Sequence, residues 1–154
     1  MKKIFSIHYP NKNIDLAILM TRVVIATLMM VHGIPKLTML FSGDIQFPPV
    51  FGLSAGVSLS LAVFAELFCS LFIMIGLGTR AATIPLIITM LVALFYIHIA
   101  DPFAKQELSI HYLLVYSILL ITGSGKYSLD YLWHRKLKKA DYSPAMVQES
   151  TASL

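Results

Sequence analysis

Residues 57–76 read VSLSLAVFAELFCSLFIMIG, and this stretch decides the fold. Its only charge is Glu66. Twenty residues of helix rise about 30 Å, the thickness of a bilayer's hydrocarbon core. A charge at the centre of such a helix costs about 2.5–3.5 kcal/mol on insertion scales, while each Leu, Ile, Val or Phe returns only about 0.3–0.6 kcal/mol. Glu66 therefore offsets much of what its apolar neighbours supply. It is expected to face other helices and to find a partner there.

Working outward, three more apolar runs flank this one. The first covers residues 16–39 and contains Arg22, His32 and Lys36. The third covers 81–100, with His98 near its end. The fourth has a shorter apolar core, but Asp101-Pro102 reads as a helix start, with Asp as N-cap and Pro at the first helical position. A helix over 102–122 is then long enough to cross. Composition agrees with a membrane protein. Apolar residues make up 57% of the 154-residue chain and charged residues 13%, against roughly 45–50% and 25% in soluble domains. The expectation is an all-α integral membrane four-helix bundle, a single domain over residues 1–140. A polar tail without order is expected over 141–154.

Gly76, Gly78 and Thr79 mark the turn after the second run. The longest connection, residues 40–56, holds Pro48-Pro49 and three glycines and reads as a loop at the membrane surface. After Gly123 and Gly125, Ser128 can cap a further helix and Asp130 suits its positive end. Leu129, Leu132, Trp133 and Leu137 recur there at helical spacing, with Arg135, Lys136, Lys138 and Lys139 gathered at the far end. This pattern predicts a short amphipathic helix over 129–139 lying in the interface. Basic residues also crowd the N-terminal segment (Lys2, Lys3, Lys12) and the second turn (Arg80), while only Lys36 and Lys105 fall near the opposite face. The positive-inside rule then orients both termini to the cytoplasm, and the plasma membrane is the expected location. Basic residues so distributed suit a lipid surface and not nucleic acid.

At about 100° per residue, Arg22, His32 and Lys36 share a stripe roughly 80° wide. An Arg22–Glu66 ion pair is the simplest expectation. His32, Lys36, His98, Glu107 and His111 can converge at the other end of the bundle. A hydrogen-bonded structural cluster is the plain reading of these five. A site for a quinone head group is the sharper one, since Lys and His donate to carbonyl oxygens and Glu or His can move protons. A metal site is not expected, because no His-x-x-x-His pair occurs and Lys36 repels cations. Gly123-Ser124-Gly125-Lys126 fails as a phosphate loop, with Leu120 and Tyr127 at positions that need Gly and Ser or Thr. Cys69, the lone cysteine, reads as a small buried side chain.

One set of residues resembles the DoxX family of small bacterial four-helix membrane proteins. It comprises Arg22, the segment His32-Gly33-Ile34-Pro35-Lys36, Glu66, Gly76 with Thr79-Arg80, and Thr122-Gly123-Ser124-Gly125-Lys126-Tyr127-Ser128-Leu129-Asp130. Their order and spacing, more than any single motif, carry the likeness from about Leu16 to Asp130. Ser124 and Lys126 stand where the family more often has Pro and Arg, which keeps the positive charge. The resemblance implies the four-helix membrane fold. It also implies a link to quinone-coupled sulfur oxidation and terminal oxidase complexes, or to oxidative-stress and thiol homeostasis through partner proteins.

Three functions follow as expectations. The first is a non-catalytic membrane subunit or anchor of a redox or stress-related complex. The second is a quinone-linked oxidoreductase subunit using the five-residue cluster. The third is a small transporter or proton path through Glu66, which needs a homo-oligomer because four helices make a thin pore. No haem, flavin or iron–sulfur motif is present, so a subunit is expected and not an autonomous enzyme.

Overall fold

A computed structural model of the chain describes residues 11–141. Lys2, Lys3 and all of the expected tail beyond Asp141 lie outside them. Five helices make up the described fold: α1 Asn11–Ser42, α2 Ala55–Ile75, α3 Thr79–Ile97, α4 Phe103–Thr122 and α5 Leu129–Asp141. No strand occurs among the described residues. Helices α1, α2 and α3 are long and apolar enough to cross a membrane. The fourth, with 20 residues, matches α2 and α3 in length, but its first turns carry Lys105, Gln106, Glu107 and His111. Antiparallel connections place Arg22, Gly76 and α5 at one end of the bundle, termed proximal, and Lys36 and His98 at the distal end.

The distribution of side chains is inverted relative to a soluble bundle. Ala26, Met29, Ala65, Cys69, Ala82, Leu86, Tyr112 and Tyr116 form the packed interior. Leu28, Val31, Phe68, Ile88, Phe95, Leu114 and Ile121 stand exposed around the outside. Water would penalise so continuous an apolar surface. Lipid tails accept it, provided the backbone is satisfied within helices.

Local chemistry sets the ends of these elements. The Ser54 hydroxyl accepts from the Val57 N–H at 3.3 Å and caps α2. Gly76, at φ +73°, closes α2, and the Leu77 N–H reaches back to the Phe72 carbonyl at 2.9 Å. This is a Schellman arrangement, which needs a residue tolerant of the left-handed region. Asp101 does not cap α4: Pro102 holds the cap position, and Asp101 turns back toward His98.

Helices α1 and α2 touch at Gly33. A Cβ there would lie 3.0 Å from the Glu66 carbonyl carbon and 3.1 Å from the Leu67 nitrogen. Residues Phe64–Cys69 of α2 form a π-helical segment at this level, with Glu66 inside it. Such segments interrupt α-helices where a side chain must be re-aimed, and they recur at functional sites.

Candidate functional site

The Gly33 contact decides which cation meets Glu66. Arg22 lies eleven residues before Gly33, about 16 Å lower along the axis. Lys36 lies one turn beyond it. Accordingly, the Glu66 carboxylate pairs with the Lys36 ammonium through Oε1, and the expected Arg22–Glu66 pair does not form. Shared angular position on a helix does not fix axial level, and the axial level decided this pairing. The second carboxylate oxygen, Glu66 Oε2, is buried without a hydrogen-bond partner.

This pair sits on the wall of a cavity of about 350 Å³. Leu61, Ala62, Ile88 and Val92 supply apolar walls from α2 and α3, and His98 closes the distal end. The roof is the 43–54 connection, which contributes Phe47, Pro48, Val50, Phe51 and Leu53. It is held down by the Val50 N–H donating to Ser58 Oγ at 3.1 Å. Phe51 adopts φ +51° and sets its ring 5.3 Å from that of Tyr96. The Lys36 ammonium lies 5.9 Å from the Phe47 ring centre, within cation–π range. The connection read as a loop on the membrane surface is therefore a cover over a cleft. Its Pro-Pro and aromatic content was the available signal.

At the distal turn, His98 Nδ1 lies 2.7 Å from Asp101 Oδ2, and the Lys105 ammonium approaches the same oxygen at 3.6 Å. The His98 hydrogen bond, with the Lys105 charge adding to it, holds the Asp101 carboxyl below the usual carboxylate range. Gln106 Nε2 donates to the carbonyls of His98 at 2.9 Å, Asp101 at 3.1 Å and Ile99 at 3.4 Å.

The five-residue cluster is therefore divided. Lys36 and His98 line the cleft, together with Glu66. His32, Glu107 and His111 do not. His32 is exposed and meets Tyr112 edge-on at 6.1 Å. His111 engages the Glu107 backbone carbonyl at 2.9 Å, and both side chains are exposed. The cause is the buried face of α4, set by Ser109, Tyr112, Tyr116 and Leu119, which turns Glu107 and His111 outward. Among the described residues, no three His, Cys, Asp or Glu side chains come together to hold a metal. Two buried hydroxyls escaped sequence reasoning, those of Ser70 and Tyr116, both enclosed in the bundle. Nothing in their spacing distinguishes them from ordinary packing residues.

The proximal end has a different character. Arg22 is 1% exposed. Its guanidinium donates to the carbonyls of Ile73 at 2.9 Å, Met74 at 3.0 Å, Tyr127 at 3.1 Å and Ser124. The first two belong to the last turn of α2, where carbonyls lack helical partners and the helix dipole is negative. A Cβ on Gly76 would come within 2.6 Å of Arg22 Nη2 and of Ser128 Cβ. The Asp130 carboxylate accepts from the Gly78 N–H at 2.9 Å, while its own N–H donates to the Gly76 carbonyl at 3.1 Å. Ser128 Oγ accepts from the Tyr131 N–H at 3.2 Å and so starts α5. Arg80 donates to the Ile121 carbonyl at 3.0 Å beside Gly123, whose φ is +78°. Gly125, at φ +67°, lets the Lys126 N–H reach Asp15 Oδ1 at 3.1 Å. These contacts tie α5 to the bundle and leave one Arg22 donor at most for anything else.

An all-helical membrane bundle, cross-tied by a buried arginine at one end and hollowed beside a Lys–Glu pair at the other, is thus the class of protein that fold and site define. The DoxX family model matches residues 17–99, which include Arg22, Gly33, Lys36, Glu66, Gly76, Arg80 and His98. The chain belongs to the DoxX family. It is 30% identical over 121 residues to a Bacillus subtilis (strain 168) protein named "Putative oxidoreductase CatD", covering 78% of this chain and 89% of that one. No solved structure matches.

Proposed function

We propose that the chain is a quinone-binding membrane subunit of an oxidoreductase, with the head group seated in the distal cleft. One observation carries this reading: an apolar cavity of about 350 Å³ has Lys36, Glu66 and His98 among its lining residues, so an ammonium, a carboxylate and an imidazole meet in one apolar cleft. Ligand sites are commonly of this size and apolar lining, with a few polar groups that fix orientation. A quinone head is flat and apolar, with a carbonyl acceptor at either edge. Lys36 gives one N–H to Glu66 and keeps two further donors. Glu66 holds the Lys36 ammonium at the cleft. An isoprenoid tail would lie among the exposed aliphatic side chains. The name of the Bacillus subtilis relative supports the same reaction class.

The electron partner is then another subunit, and α5 is its docking surface at the proximal end. Trp133, Arg135, Lys136 and Leu137 are all exposed on this helix. With α4 also crossing, the basic residues of α5 and Arg80 share one side of the membrane, which the positive-inside rule makes cytoplasmic. That side belongs to the plasma membrane in this reading.

Native mass spectrometry of the protein in mild detergent, with bound molecules extracted and identified, tests the proposal. A stoichiometric quinone that is lost in Lys36→Met and His98→Ala is the expected result. Exchangeable lipid alone, in wild type and variants alike, would reject the cleft as a quinone site and leave the anchor role, carried by α5.

A further inference from the structure

His98 lines the cleft and also hydrogen-bonds a carboxylate of the distal turn. Its Nδ1 lies 2.7 Å from Asp101 Oδ2. An ionised carboxylate only accepts hydrogen bonds, so Nδ1 must carry the hydrogen. The neutral ring is then left with its lone pair on Nε2, which makes no hydrogen bond among the described residues. Three further features hold this geometry. His98 follows the π-helical turn Ala93–Ile97, and its N–H donates to the Ala93 carbonyl at 2.9 Å. Gln106 ties together the carbonyls of His98, Ile99 and Asp101. Lys105 reinforces the negative state of Asp101. Both His98 and Asp101 remain about one-third exposed, at 35% and 33% of their side chains, so the pair reaches from the cleft wall to the aqueous phase at the distal end.

We infer that Asp101 is a positioning residue that presents His98 Nε2 as the proton acceptor for a hydroxyl bound in the cleft. This rests on the cleft being the ligand site. In the step, the ligand O–H bond breaks and an N–H bond forms on Nε2. No electron moves through the ring. The imidazolium charge is opposed by the Asp101 carboxylate, and the proton then passes to distal water. The reverse sequence delivers a proton to a ligand oxygen. Lys36 from α1 and Glu66 from α2 are the other charged groups lining the cleft, and Lys105 from α4 lies at the distal turn beside Asp101.

The test uses the full chain, with ¹⁵N-labelled histidine, in a lipid nanodisc. His98→Gln identifies the His98 signals by their loss. Nitrogen chemical shifts then report which ring nitrogen is protonated. Wild-type His98 is expected to carry its neutral-state hydrogen on Nδ1. Asp101→Ala is expected to move it largely to Nε2. An Asp101 that shaped the turn without fixing the ring would leave the tautomer unmoved. An Nε2–H tautomer in the wild type overturns the inference without any variant. So does an unchanged tautomer in Asp101→Ala. A short-chain benzohydroquinone added to the same nanodiscs separates the two levels. Its failure to bind overturns the acceptor role together with the cleft reading. Binding with the wrong tautomer overturns the acceptor role alone.

Discussion

At the scale of the residue, the unusual feature is a carboxylate deep in an apolar helix with only one of its oxygens engaged. Glu66 is 2% exposed and Lys36 only partly covered. Removing one member of a buried pair leaves a charge without compensation, which typically costs about 3 kcal/mol or more. Replacing both with apolar groups removes that burden. Unfolding in mixed micelles is therefore expected to show Lys36→Met destabilised by about 3 kcal/mol, and Lys36→Met/Glu66→Leu closer to wild type. A double variant as unstable as the sum of its singles would show that the two groups act independently. Arg22 behaves differently, because its partners are carbonyls and not a charge. For Arg22→Met the loss falls on the proximal segment it holds, and Glu66 is unaffected.

Among the elements, the proximal tie and the distal turn make separate predictions. Gly76 combines a left-handed φ with a contact that has no room for a Cβ. Gly76→Ala is expected to displace the Arg22 guanidinium and release the 124–128 segment with α5. Limited trypsin digestion would read this as faster cleavage after Lys126 and Arg135 than in wild type, with the rest of the bundle still protected. Unchanged cleavage would mean that α5 is held by something other than this tie. In the distal turn, Asp101 titrates below the ordinary carboxylate range because of His98 and Lys105. A lowered folded-state value means that the contact's contribution is complete above the ordinary carboxylate range. It is lost as pH falls through the lowered value. Amide exchange at Ile99 to Phe103 is expected to quicken, after correction for intrinsic rates, as pH drops through that window, and Asp101→Asn to abolish the dependence.

For the whole molecule, the open element is α4, whose polar first turns set it apart from the three more apolar helices. Its buried face packs Tyr112, Tyr116 and Leu119 into the common core, and a 20-residue helix rises about 30 Å. A crossing α4 puts Leu77 and Tyr131 on one side and Ala100 on the other. Single cysteines at these positions, in a Cys69→Ala background, are expected to react with an impermeant maleimide from opposite faces of sealed vesicles. Reaction of Tyr131→Cys and Ala100→Cys from the same face would remove α4 from the membrane and reverse the assignment of α5 to the cytoplasm.

Much of this arrangement was legible in the sequence. Apolar runs longer than the bilayer is thick leave a chain no cheaper place than lipid, and glycines such as Gly76 and Gly123 mark where helices must stop. Those are local properties, carried by residues close together along the chain. The cleft and its chemistry were not legible in the same way. Periodicity reports the angle of Arg22, His32 and Lys36 around one helix, but it carries no information on how far α1 slides along α2. That displacement was settled by Gly33 seated on the Glu66 peptide and by the π-helical turn beneath it. It gave Glu66 to Lys36 and Arg22 to the carbonyls of α2. The same limit hid the role of Phe47 and Phe51, because the path of a loop over a cavity depends on contacts between segments distant in the chain, and only tertiary packing supplies those.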